Sequence, residues 1–179
     1  MPKYIAFLRA INVGGHIVKM DYLRKLFEEM GFSNVKTFIA SGNVIFDSTS
    51  KSGKAMEKKI EEVLHTRLGY KVATFVRSTT ELAEVAKNIP FKDFDPDAKI
   101  PTLFVGFLSD RPVDDCHKKI QILNSKTDEF HLAGREVYWL CRTNMNDSKV
   151  SYAVLEKLLG MQGTFRNSTT VRRLAAQHC

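Results

Sequence analysis

The first stretch of the chain with residues suited to anion binding is the segment 9–16, Arg-Ala-Ile-Asn-Val-Gly-Gly-His. It follows a strand-like run and precedes a helical one, a position where α/β folds often hold ligands. Loop amides beside Arg9 and Lys19 could surround an anionic group. The alternative is that the glycines only let the chain turn into the helix. The candidate residues here are Arg9, Asn12, Gly14 and Gly15.

The second stretch is Ser41-Gly42-Asn43, which lies between two β-rich runs. The Asn43 amide could exchange hydrogen bonds with a ligand, but Gly-Asn is also what a tight hairpin turn selects. Ser41 joins two strands and is not in the G-x-S-x-G turn of hydrolases, so a nucleophilic serine is not predicted. All three residues are candidates for ligand binding.

The third stretch is Arg166-Asn167, just before the final helix. A helix N-terminus offers unpaired N–H donors, and a guanidinium beside it would favour a bound anion. The alternative is that these residues only cap the helix. From Gly160 onward the chain has three arginines and no acidic residue, which would also attract phosphate or nucleic acid.

Other motif classes are excluded by residue type and spacing. The chain has neither G-x-G-x-x-G nor the phosphate-binding loop of nucleotide hydrolases. Its five histidines lack metal-ligand spacing, and the alternating acids of 93–97 lack the glycine and distal glutamate of a calcium loop. The aromatic signature of RNA-recognition motifs is also missing. The sequence therefore predicts no metal and no cofactor, and it leaves open whether the protein is an enzyme.

The elements that must position these residues follow the order β-α-β-β-α-β, the motif of ferredoxin-like folds. Apolar residues at helical spacing and β-rich runs define each element. The predicted elements are a strand at 3–8, a helix at 21–30, strands at 35–40 and 44–47, a helix at 54–68 and a strand at 71–76. A connecting helix then starts at Ser78, whose hydroxyl can cap it while Glu81 reaches back.

The same order restarts after a linker, which indicates an internal duplication. The second half has a strand at 102–108, a helix from Pro112 to 123, a hairpin around 133–136, a helix at 150–159 and a last helix at 169–177. No closing strand is predicted for it. The predicted organisation is an α+β chain of two ferredoxin-like halves: residues 1–90 with the connecting helix, a linker at 91–101, and 102–179 with a basic C-terminal helix.

Composition and charge narrow the class of protein. The chain has 179 residues, of which 44% are hydrophobic and 26% charged, as in ordinary globular domains. Its three cysteines form no C-x-x-C pair, and no apolar run is long enough to cross a bilayer. We therefore expect a cytoplasmic location and no membrane partner. The net charge of +7 favours an anionic small molecule or nucleic acid as partner.

Three motifs carry a resemblance to a known family. They are Leu-Arg-Ala-Ile-Asn-Val-Gly-Gly at 8–15, Ser-Gly-Asn-Val-Ile-Phe at 41–46, and Thr-Phe-Arg-Asn at 164–167 followed by Thr170-Val171. The chain resembles the bacterial domain-of-unknown-function family 1697, from the first strand to about Leu174. This resemblance implies a duplicated domain with ferredoxin-like halves and no assigned activity. Ala10, Ala40 and Ser168 depart from the family, which usually has Gly, Gln and Trp at these positions.

The residues that match the family motifs form the predicted binding site, on the hypothesis that the three stretches meet in space. They are Arg9, Asn12, Gly14, Gly15, Ser41, Gly42, Asn43, Arg166 and Asn167. The leading hypothesis is a protein that binds a phosphate-bearing small molecule or a nucleic-acid backbone. The rival is a structural or protein-interaction module in which the same residues form turns and caps. A third alternative is an enzyme of unrecognised class, although no nucleophile and base pair is visible.

Overall fold

The computed structural model describes residues 1–40 and 42–179, and the chain forms two compact units. The first unit comprises Met1–Leu82 together with Cys179, and the second comprises Ala83–His178. The helix α3 (Thr79–Lys87) contains the point of division. The boundaries at residues 90 and 101 that the sequence suggests stay a prediction.

The first unit is a four-stranded antiparallel sheet with two helices packed on one face. Its strand order is β2-β3-β1-β4. The elements are β1 (Lys3–Leu8), α1 (Met20–Glu29), β2 (Ser33–Phe38), β3 (Asn43–Asp47), α2 (Gly53–Leu68) and β4 (Thr74–Ser78). Leu23, Leu26 and Phe27 of α1 are buried with Ala6 and Phe46 of the sheet in one core, because their helical spacing places them on one side of α1.

The second unit repeats this arrangement and ends with an additional helix. Its strand order is β6-β7-β5-β8. The elements are β5 (Thr102–Leu108), α4 (Asp115–Gln121), β6 (Asp128–Ala133), β7 (Glu136–Cys141), a short 3₁₀ helix (Met145–Asp147), α5 (Tyr152–Leu159), β8 (Gly163–Asn167) and α6 (Ser168–His178). The core of this unit is centred on the fully buried Trp139.

Strand register confirms the predicted ferredoxin-like duplication. Phe7 of β1 pairs with Asn43, and Phe107 of β5 pairs with Glu136 in the same place of the second sheet. On the other side of the central strand, Phe7 pairs with Phe75 and Phe107 pairs with Thr164. The two halves therefore share strand order, direction and register.

Two details of the second half differ from the sequence-based prediction. A closing strand, β8, is present where none was predicted: its five residues are too short to show alternation, and the β-rich part is interrupted by Arg166. Pro112 lies before α4 and not in its first turn, because the helix begins only at Asp115.

The predicted N-terminus of α3 is confirmed by its hydrogen bonds. The Glu81 backbone N–H donates to Ser78 Oγ at 3.2 Å, and the Ser78 backbone N–H donates to Glu81 Oε2 at 2.8 Å. This reciprocal pair is the capping box. No helix among the described residues is both long and apolar enough to cross a membrane.

Candidate functional site

The β1–α1 loop, residues 9–19, has an unusual concentration of left-handed backbone. Ala10, Asn12, Gly14 and Gly15 have φ values of 59°, 58°, 63° and 85°. Glycine adopts this conformation freely, but alanine pays a steric penalty of roughly 1–2 kcal/mol. The loop thus turns repeatedly within a few residues and leaves residues 13–15 at the surface.

The Asn12 side chain clamps this loop to the hairpin that joins β2 and β3. Its Oδ1 accepts a hydrogen bond from the Val18 backbone N–H at 2.6 Å. Its Nδ2 donates to the Ala40 carbonyl at 3.1 Å. One amide group therefore ties together two ends of the loop and the tip of the hairpin.

Gly42 lies where the end of the hairpin packs against Leu8 and Ile11. Its φ is 77°, and a Cβ at this position would lie 3.1 Å from Leu8 Cβ and 3.2 Å from Ile11 Cβ. The Leu8 backbone N–H also donates to the Gly42 carbonyl at 2.8 Å. A side chain at residue 42 would force the hairpin and the β1–α1 loop apart.

Asn43 is fully buried at the start of β3. Its Nδ2 donates to the Phe38 carbonyl at 3.0 Å, which closes the hairpin across its base. This contact agrees with the turn-forming alternative for Asn43, and a contact with a ligand stays a prediction. Ser41 lies outside the described residues.

The β1–α1 loop itself is basic, and the Glu61 carboxylate of α2 lies at the same end of the sheet, where it accepts a hydrogen bond from the Thr74 backbone N–H at 2.8 Å. Arg9 and Lys19 flank the loop, and the segments 9–20 and 36–46 contain no acidic residue. The His16 ring stacks on Tyr70 with centroids 3.9 Å apart, which brings the neighbouring, exposed Lys71 to the loop. The Arg9 backbone N–H donates to the Ala73 carbonyl at 2.9 Å and fixes the other side of this end of the sheet.

The Tyr70 hydroxyl lies beside the loop, since the His16 ring stacks on the Tyr70 ring. Its oxygen is buried and has no hydrogen-bond partner among the described residues. Burial raises the pKa of Tyr70 above its ordinary value, so the hydroxyl keeps its proton at neutral pH.

Arg166 belongs to β8 of the second unit. Its Nη1 donates to Thr164 Oγ1 at 2.7 Å and to the Phe165 carbonyl at 2.9 Å. Burial lowers the pKa of Arg166 to about 10, against a smaller opposing effect of Tyr152. The guanidinium remains charged at neutral pH, and its incomplete hydration favours an anionic partner.

Asn167 serves as the N-cap of α6. Its Oδ1 accepts a hydrogen bond from the Thr169 backbone N–H at 2.9 Å. This is the capping alternative considered for this residue. The Asn167 side chain is thus engaged within its own helix.

A fully buried arginine, Arg77, was not identified from the sequence. Arg77 of β4 is 1% exposed and pairs with Ile5, as Arg166 pairs with Val105 in the second half. Its Nη1 donates to the Val76 carbonyl at 2.9 Å. The signal was present in the sequence, where Arg-Ser-Thr-Thr at 77–80 matches Arg-Asn-Ser-Thr-Thr at 166–170.

The structure thus brings together two of the three predicted stretches. Arg9, Asn12, Gly14 and Gly15 lie at the same end of the first sheet as Gly42 and Asn43, while Arg166 and Asn167 belong to the second unit. The meeting of all three stretches stays a prediction. Among residues 1–40 and 42–179, no group of three or more His, Cys, Asp or Glu side chains is placed to hold a metal ion.

Comparisons with known proteins identify a family without an assigned activity. The family model described as "Protein of unknown function (DUF1697)" matches residues 1–138. In structure, the chain is similar to a conserved bacterial protein from Streptococcus pneumoniae, with a TM-score of 0.76 and 20% sequence identity over 98% of this chain and 97% of that one. At this identity the likeness shows the fold alone. No curated protein matches the sequence.

Proposed function

The chain belongs to the DUF1697 family of proteins of unknown function, and from this premise we propose that it binds a phosphate-bearing ligand at the β1–α1 loop. The observation that carries the proposal is the clamped, acid-free basic loop at one end of the first sheet. A bound phosphate would receive hydrogen bonds from the surface amides of Val13, Gly14 and Gly15. Arg9 and Lys19 would supply opposite charge.

Asn12 and Asn43 fix the shape of the proposed binding site. The Asn12 amide groups are occupied by the Val18 backbone and the Ala40 carbonyl. Asn12 holds the loop amides in place before the ligand binds. The loop therefore loses less conformational entropy on binding. Asn43 holds the hairpin in the same way.

Arg166 and Asn167 remain candidates for ligand binding in the second unit. Arg166 is charged and partly desolvated, so an anion beside it would be stabilised more than in bulk water. If Arg166 contributes to binding, Arg166→Gln weakens phosphate affinity without a matching loss of stability. If it is only structural, stability falls by about 1 kcal/mol or more and affinity is unchanged.

The test is titration calorimetry with inorganic phosphate, a nucleoside monophosphate and a short single-stranded oligonucleotide, each at low and moderate salt. The variant Lys19→Gln/Lys71→Gln removes two exposed charges beside the loop. The control Lys126→Gln/Lys149→Gln removes two exposed charges from the second unit.

We expect phosphate affinity to fall at least about tenfold in the loop variant, because hydrogen bonds to charged groups contribute roughly 1.5–3 kcal/mol each. The control is expected to bind as the wild type does. Absence of binding by all three probes, or an equal loss in both variants, would refute the proposal. A preference for the oligonucleotide would assign the site to a nucleic-acid backbone.

A further inference from the structure

Three exposed aliphatic side chains surround the Asn12 clamp. Val13, Ile17 and Ile39 are 61%, 87% and 49% exposed. Each is the chain neighbour of a residue joined in the clamp: Val13 follows Asn12, Ile17 precedes Val18, and Ile39 precedes Ala40. Asn12, Val18 and Ala40 are hydrogen-bonded together, so Val13, Ile17 and Ile39 all lie one residue from the clamp, and we name these three exposed side chains the aliphatic patch.

One residue of the aliphatic patch has a strained backbone. Ile39 has a φ of 59°, which is rare for a β-branched residue. Ile11, by contrast, is buried and anchors the loop. The loop thus presents some of its apolar residues to the surface while others fill the core.

The aliphatic patch lies next to basic residues of the loop. Arg9, His16 and Lys19 are on the same segment, Lys71 follows Tyr70, on which His16 stacks, and the segments 9–20 and 36–46 contain no acid. Apolar side chains that protrude between cations complement a surface that is apolar inside and anionic outside. An anionic lipid bilayer has this chemistry.

We propose that the aliphatic patch docks on anionic lipid bilayers and that the phosphate bound at the loop is a phospholipid headgroup. This inference rests on the proposed function and names the source of the phosphate. Val13 and Ile17 would enter the boundary between headgroups and acyl chains, and the lysines would remain at the phosphate level. The expectation of no membrane partner concerned apolar runs in the sequence, whereas this patch is assembled by folding.

The residue types argue against nucleobases as the apolar part of the ligand. Proteins that bind single strands stack bases on aromatic side chains. The patch is aliphatic, and the ring at its margin, His16, already stacks on Tyr70. Aliphatic side chains are stabilised more by contact with acyl chains than by contact with planar bases.

The test is sedimentation of the full-length protein with vesicles of phosphatidylglycerol and phosphatidylcholine in equal amounts, and of phosphatidylcholine alone. The variant Val13→Ser/Ile17→Ser removes the apolar contribution. The control Val113→Ser/Ile122→Ser changes two residues of the second unit that are 69% and 81% exposed. The variant Lys19→Gln/Lys71→Gln removes charge, and circular dichroism with thermal unfolding checks that each variant folds.

We expect the wild type to bind the anionic vesicles and not the neutral ones. Both loop variants should reduce the partition coefficient about tenfold or more. The lysine variant does so because each basic residue near an anionic surface contributes about 1 kcal/mol. The Val13→Ser/Ile17→Ser variant does so because it removes the apolar side chains that would enter the bilayer. The control should bind like the wild type. Calorimetric binding of inorganic phosphate is measured with the single variant Ile17→Ser, which keeps residues 13–15 unchanged, and it should equal that of the wild type.

Two results would overturn the inference and leave the proposed function intact. They are phosphate binding without any vesicle binding, and vesicle binding that Val13→Ser/Ile17→Ser does not alter. Oligonucleotide binding that is weakened by this variant would reassign the patch to nucleic acid. Absence of binding to phosphate and to vesicles would refute both the inference and the proposed function.

Discussion

At the scale of single residues, Ala10 is a position where a small change tests the strain in the β1–α1 loop. Its φ of 59° costs alanine more than glycine. We predict that Ala10→Gly raises the free energy of unfolding by about 1 kcal/mol, measured by chemical denaturation. The resemblance to a family that usually has glycine here is consistent with this prediction.

The control for Ala10→Gly is Ala176→Gly in α6, which makes the same change at an exposed helical position. There glycine is expected to lower stability by up to about 1 kcal/mol. If both variants are destabilised alike, the left-handed conformation of Ala10 is not the native one.

Tyr138 provides a prediction about pH. Burial on β7 raises its pKa to about 12, and its hydroxyl donates to the Val85 carbonyl at 3.4 Å. The folded state therefore holds the phenol proton more tightly than the unfolded state, whose tyrosines ionise near pH 10. Stability from this group is fully present below pH 10 and is lost as pH rises through about 12.

The measurement is the free energy of unfolding of the wild type and Tyr138→Phe at several pH values from 9 to 12. We expect the wild type to lose stability more steeply than the variant between pH 10 and 12. Parallel curves would mean that the phenol ionises with an ordinary pKa in the folded protein.

At the scale of elements, the two halves use different pairs of residues where the central strand pairs with the last strand of each sheet. Ala6 pairs with Val76 in the first sheet, and Gly106 pairs with Phe165 at the same register in the second. A Cβ on Gly106 would lie 2.6 Å from Phe165 Cε1 and from Val137 Cγ1. The larger partner on β8 thus requires glycine on β5.

We predict that Gly106→Ala destabilises the protein by roughly 1–3 kcal/mol, because the buried methyl group has no room. Phe165→Val alone leaves a cavity and also destabilises. The double variant recreates the Ala-Val pair of the first half, so its loss should be smaller than the sum of the single losses by at least about 0.5 kcal/mol. Additive losses in denaturation would show that the two positions do not contact each other.

The elements that could be predicted from the sequence were those with local signals. Helices α1, α2, α3 and α5 show apolar spacing together with caps or terminal glycines, such as Ser78 with Glu81 and the left-handed Gly160. Strand β8 could not be predicted, since it has only five residues and Arg166, the fourth of them, interrupts the short β-rich run. Its existence follows from duplication, which requires a partner for β5 equivalent to β4.

At the scale of the whole molecule, the internal repeat could be predicted from the sequence. The residues of the candidate site and their contacts could be predicted only in part. The resemblance selected Asn12 and Asn43, and the structure assigns their side chains to internal hydrogen bonds. A sequence shows that an amide is present, but its partners depend on distant backbone such as Ala40. The aliphatic patch was missed for the same reason, since the segments that contain Val13 and Ile39 are joined only in the folded chain, by the hydrogen bond between Asn12 and Ala40.

Phosphate binding at the β1–α1 loop depends most on the amides of residues 13–15. The direct measurement is the ¹H–¹⁵N spectrum of the protein during titration with inorganic phosphate at low salt. We predict saturable shifts that are largest at Val13, Gly14 and Gly15 and share one dissociation constant. Shifts that leave these three amides unchanged, or that rise without saturation at lysine-rich surfaces throughout the molecule, would contradict the claim.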